Sequence, residues 1–154
     1  MADLTAAADL RVLGEAYTEK WLLDTSIART IYKGTPIMID QSADTVNASH
    51  WVSTVTTLVA DVFLGIAAEN KSVTLAADQK TYIEVYTYPT ILGFKSTVFT
   101  DGADNGLGVF MSDNATLVGV AGASGVPELG IVHLVKDGYC YVALNTPFIC
   151  VNAT

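Results

Sequence analysis

The chain has 154 residues, 51 % of them hydrophobic and only 16 % charged, with a formal net charge of −8. That is one domain's worth of chain, able to bury about two-thirds of its unfolded surface. Its charged share falls well below the quarter usual for soluble domains, so part of its surface is expected to be hidden in an oligomer or against a larger partner. The acidic balance and the lack of any basic cluster exclude nonspecific nucleic-acid binding, and no apolar run is long enough to span a membrane as a helix. The opening MADLTAAADLRV lacks the basic start and apolar core of an export signal, which predicts synthesis in the cytoplasm.

Ala6–Trp21 carries Leu10, Leu13, Tyr17 and Trp21 at helical spacing, with Val12 and Ala16 widening the stripe. This pattern fits either a short amphipathic helix or an N-terminal arm that orders against a partner. Gly14 weakens the helix by about 1 kcal/mol relative to alanine. Residues 1–26 are read as this arm or helix, and residues 27–154 as a β-rich domain. Ile31–Ile39 is a short apolar stretch with a Lys33-Gly34 turn and Pro36, and Gln41–Asn47 reads as a loop before the Ser-, Thr- and Val-rich Ser49–Leu58. Val62–Ala67 is a buried strand candidate in which Gly65 points to a bulge or a close backbone approach. Ser72–Leu75 is a further short strand. Thr81–Tyr88 alternates, with Ile83 and Val85 on one face and Tyr82, Glu84, Tyr86 and Tyr88 on the other, until Pro89 ends or edges it.

Asp101–Gly108 is the most turn-rich segment, set between Phe94–Phe99 and Val109–Met111. Ser112-Asp113-Asn114 makes another turn before Thr116–Val120, and the glycine-rich Gly119–Gly130 is a loop. The clearest unit is a hairpin, Ile131–Lys136 and Tyr139–Leu144 joined by Asp137-Gly138, a pair that favours positive φ at both turn residues. Folding about that turn places Lys136 opposite Tyr139, Leu134 opposite Tyr141 and Val132 opposite Ala143. Val135, His133 and Ile131 then meet Cys140, Val142 and Leu144 on the other face. Both faces are mostly apolar, so each is expected to be covered. Short strands at this spacing predict an all-β fold, a compact β-sandwich or small β-barrel preceded by the N-terminal arm or short helix.

Reactive chemistry is thinly represented. Cys140 and Cys150 belong to no zinc pattern; they form either a disulfide across a final turn or two small buried thiols. Asp101, Asp104 and Asn105 resemble the start of a calcium loop but lack its closing acid. His133 is expected to pack within the terminal sheet. His50, a serine and Asp61 lack the turn that presents a nucleophile, and Glu69, Glu84 and Glu128 show no fixed separation for glycoside cleavage. No catalytic, cofactor-binding or metal-ligating set is assigned, and the chain is read as a non-enzymatic protein that works through its surfaces. Its aromatics also suit stacking on sugar rings, which makes a carbohydrate-binding β module one alternative.

Several segments, taken in order, resemble the small capsid decoration (cement) proteins of tailed bacteriophages, the broad DUF2190 group. They are Tyr32-Lys33-Gly34-Thr35-Pro36; Val62 to Glu69 (VFLGIAAE); Gly108 to Leu117 (GVFMSDNATL); and Leu129-Gly130-Ile131-Val132 leading through Asp137-Gly138 to Tyr141-Val142-Ala143-Leu144. The resemblance spans residues 30–145 in pieces, while Thr45–Leu58 and the tail after Asn145 match nothing in the group. It implies a β-rich homotrimer on the outer surface of the virion capsid, where it bridges neighbouring major capsid protein subunits and touches neither nucleic acid nor membrane. It also makes Leu10, Leu13, Tyr17 and Trp21 the expected capsid contacts and Tyr82, Tyr86 and Tyr88 the expected subunit interface. A tail or head-fibre base protein is the alternative virion role.

Overall fold

The computed structural model describes residues 6–23, 29–40, 48–50, 61–73, 81–111, 117–119 and 128–145. These form a compact, mostly β domain with three sheets. The strands are β1 (Leu10–Leu13), β2 (Thr18–Leu22), β3 (Arg29–Ile31), β4 (Pro36–Asp40), β5 (Ala48–His50), β6 (Asp61–Ala67), β7 (Lys71–Val73), β8 (Tyr82–Tyr86), β9 (Ile91–Lys95), β10 (Gly108–Met111), β11 (Leu117–Val118), β12 (Glu128–Lys136) and β13 (Tyr139–Leu144). The first sheet has the order β1-β9-β13-β12-β10-β11, the second β2-β8-β6-β4-β5, and β3 pairs with β7 in a small third.

Two cores fix how the sheets stack. Leu92, Phe94, Val109, Met111, Leu129, Val132, Cys140, Val142 and Leu144 of the first sheet pack against Met38, Phe63 and Ile66 of the second. The opposite face of the second sheet supplies Ile37, Ile39, Leu64, Ala67, Ile83 and Val85, which meet Ile31 and Val73 of the small sheet. The second sheet is therefore covered on both faces. This accounts for the unbroken apolar run Ile37–Ile39, where a half-exposed strand would alternate.

The helix allowed by the Leu10, Leu13, Tyr17 and Trp21 spacing is not formed. Among the described residues the only helical turn is a 3-10 turn at Gly102–Asp104, and Ala6–Trp21 instead contributes β1 and β2. β1 pairs antiparallel with β9, and β2 with β8, so the segment edges both large sheets. Gly14, at φ 78, separates the two strands in a conformation that stops a helix. Cross-strand pairing has outweighed a weak and glycine-interrupted helical pattern. The boundary expected at residue 26 lies outside the described residues.

The Gly65 expectation is met in both its forms. β4 and β6 pair as Ile37↔Gly65 and then Met38↔Phe63, leaving Leu64 as the extra residue of a bulge. A Cβ on Gly65 would overlap the carbonyl oxygen of Tyr86 and lie 2.8 Å from Cγ1 of Val85. The alternation of β8 also holds, with Ile83 and Val85 buried and Tyr82, Glu84 and Tyr86 on the other face.

The terminal hairpin turns at Asp137 and Gly138, both with positive φ, and begins in the expected register: Lys136↔Tyr139, Val135↔Cys140, Leu134↔Tyr141. A register shift at His133 then moves every later pair by one, to Val132↔Val142, Ile131↔Ala143 and Gly130↔Leu144. The shift puts Val132 into the core beside Val142 and leaves Ile131 exposed. His133, expected to pack in the sheet, is exposed at the irregularity.

Candidate interaction surface

The four N-terminal residues do not share a face. Leu10 packs at the edge of the first core and Trp21 at the edge of the second, whereas Leu13 and Tyr17 are exposed. The tyrosines of β8 divide in the same way: Tyr86 packs against the first core, while Tyr82 and Tyr88 are 47 % and 54 % exposed. Trp21 Nε1 donates to Glu19 Oε2 at 2.9 Å, which satisfies the polar end of its ring.

Exposed Leu13, Tyr17 and Tyr88 come together at one corner, whereas Tyr82 lies at the far end of β8, opposite Leu22. The chain passes from the first sheet to the second between β1 and β2, and back between β8 and β9. These crossings are stitched together. Tyr17 N donates to Thr90 Oγ1 at 2.8 Å, Thr90 Oγ1 donates to the Tyr17 carbonyl at 3.1 Å, and Thr87 N donates to the same carbonyl at 3.0 Å. Buried Thr90 thus fixes the Thr87–Thr90 turn, which carries Tyr88 and a cis Tyr88-Pro89 bond, against Tyr17. Leu13 stands opposite Ile91, just past that turn. Tyr17 Oη donates to Glu15 Oε2, a bond that raises the pKa of the phenol.

Toward the other end of β1 and β9 lies a polar cluster that sequence reasoning did not find. Tyr139 Oη donates to Asp9 Oδ2, and Lys95 Nζ stands 3.4 Å from the same oxygen. The Arg11 guanidinium lies 3.9 Å above the Tyr139 ring, and the Tyr141 ring covers Gly93. Register explains the gathering: Arg11↔Gly93↔Tyr141 and Lys95↔Tyr139 are directly opposed across β1, β9 and β13. Asp9 is held below the ordinary carboxylate value chiefly by the Tyr139 hydrogen bond, with Lys95 and Arg11 adding to the effect. Only the pairing of β1 with β9 reveals the cluster; the hairpin register places just the two tyrosines.

The acidic candidates serve local structure. Asp101 Oδ1 accepts from Ala103 N, and Asp104 Oδ2 accepts from Thr100 N and Asp101 N, a reciprocal cap on the 3-10 turn. Glu69 Oε1 accepts from Glu84 N, Glu84 Oε1 accepts from Thr18 Oγ1, and Glu128 lies in the other large sheet. Among the described residues no three or more His, Cys, Asp or Glu side chains are grouped to hold a metal ion. The side chains of His50 and Asp61 lie outside the described residues, as does Cys150. Cys140 is buried, and burial pushes its thiol pKa up to about 11.

No protein-family model matches the chain, no curated protein matches it in sequence, and no solved structure matches it.

Proposed function

We propose that the chain is a capsid decoration protein, a β-sandwich that binds the outer surface of a phage head as a homotrimer and cements neighbouring major capsid protein subunits. The ordered sequence resemblance motivates this reading, and the low charge supports it. The observation that carries it is the placement of exposed apolar side chains. Among the described residues, four of the eight exposed large hydrophobic side chains, Val12, Leu13, Tyr17 and Tyr88, lie on β1 or on the β1–β2 and β8–β9 connections, so this corner is the favoured contact surface. Leu13, Tyr17 and Tyr88 are its central contacts, with Leu10 and Trp21 acting as internal supports. A trimer multiplies modest contacts into firm attachment through effective concentration.

Such a role is mechanical, and so is its test. DNA-filled expanded heads lacking decoration are heated with and without saturating protein, and DNA release is followed by dye fluorescence. A cement raises the rupture temperature and saturates at a fixed number of copies per head. Unchanged rupture at saturating protein would sink the assignment.

A further inference from the structure

Among the described residues, segment 6–13 makes its contacts to remote parts of the chain. Ala8 N donates to the Lys33 carbonyl at 2.8 Å, Asp9 meets Tyr139 and Lys95, Leu10 packs on the first core, and Arg11 covers Tyr139. Its strand, β1, lies at the outer edge of the first sheet with three of its four residues exposed. From Tyr17 onward the chain is fixed to its own second sheet by Thr87 and Thr90. Between these anchored stretches lie only Gly14, Glu15 and Ala16, all exposed, with nothing within 4 Å of where a Cβ on Gly14 would stand.

We propose that β1 is exchanged between copies of this chain, the segment 6–13 of one copy occupying the β9 edge of the next, with Gly14–Ala16 as the hinge. Every contact of the segment carries over unchanged, because each is made to a surface that an identical copy presents equally well. The fit is selective for a second copy of the chain. Asp9 needs the paired Lys95 and Tyr139, Arg11 needs the Tyr139 ring, and Leu10 needs its place opposite Phe94. What exchange adds lies at the hinge. A neighbour drawn against this edge covers Val12, apolar surface beside the hinge that the closed single chain leaves in water. Each copy gives one strand and receives another, so exchange runs reciprocally in a two-fold pair or head-to-tail in a closed ring. The proposal rests on the trimeric reading above only for a ring of three.

The Asp9–Lys95 ion pair supplies the test without any substitution. A carbodiimide activates the Asp9 carboxylate, the Lys95 amine attacks it, and an amide forms as the urea by-product leaves. Treated protein is separated on a denaturing gel, and each band is digested and searched by mass spectrometry for the Asp9–Lys95 linked peptide. Exchange predicts the linked peptide in dimer and trimer bands and none in the monomer band, with those bands weakened in Asp9→Asn. A linked peptide in the monomer band would place β1 on its own chain and overturn the proposal. Absence of the linked peptide from every band would overturn it as well, by removing the contact on which it stands. No phage head is involved, so failure of exchange and failure of the decoration reading are separate results.

Discussion

Gly65→Ala should split the second sheet where β6 meets β8. The new methyl group would overlap the Tyr86 carbonyl oxygen, a backbone atom, and would also press on Val85 Cγ1. Neither can turn aside as a surface side chain does. Restoring an ordinary carbon–oxygen contact of about 3.3 Å requires the strands to part by on the order of an ångström. That movement stretches the 2.9 Å bond from Ala68 N to the Glu84 carbonyl and disturbs the Ile66↔Tyr86 and Ala67↔Val85 pairs. Overpacking costs about 1–3 kcal/mol, and a disrupted backbone hydrogen bond adds about 1 kcal/mol. A loss of about 3 kcal/mol is a large part of the 5–15 kcal/mol that stabilises such a domain, and lowers its Tm by roughly 6–12 °C. Equilibrium unfolding in urea measures it, with Gly102→Ala as the control because no atom lies within 4 Å of that position. A Gly65→Ala midpoint equal to that of the control would refute the close approach of β6 and β8.

Gly130→Ala should cost a similar amount, since its Cβ would overlap the Ala143 carbonyl oxygen in the terminal hairpin; the same urea titration reads it. Leu64→Ala empties a fully buried site between the second and third sheets and should cost about 2–5 kcal/mol, read from the thermal midpoint. Cys140, with its thiol pushed up to about 11, should react with a disulfide reagent at pH 8 only as fast as the domain opens, so its labelling rate should rise steeply with added urea. Asp9 has a folded pKa below its ordinary 3.8, so the hold on β1 is fully present above that value and is lost as pH falls through the lower folded one. Amide exchange at Leu10–Leu13 should accelerate relative to β13 across that acid range, and Asp9→Asn should remove the pH dependence.

The elements that were legible in the sequence are those whose pattern is local. Asp137-Gly138 announces its turn because both residues must take positive φ, and Ile83 and Val85 announce the buried face of β8 by alternation. Gly65 was readable as a special position, because a glycine within an apolar strand signals a bulge or a crowded backbone. The hairpin register was readable only as far as Leu134, since nothing local marks His133 as the residue that slips. The N-terminal segment misled for a different reason. Leu10, Leu13, Tyr17 and Trp21 fit a helical stripe, yet Leu10 and Trp21 belong to two strands facing two separate cores. The Asp9, Arg11, Lys95 and Tyr139 cluster depends on strands far apart in the chain, so no spacing could reveal it.

Co-sedimentation of the purified protein with expanded, undecorated phage heads, followed by copy counting, tests the proposed role most directly. The decoration reading predicts saturable binding in multiples of three, weakened by Leu13→Ala combined with Tyr17→Ala. Protein that stays in the supernatant at every concentration while sedimenting alone as a monomer would contradict it.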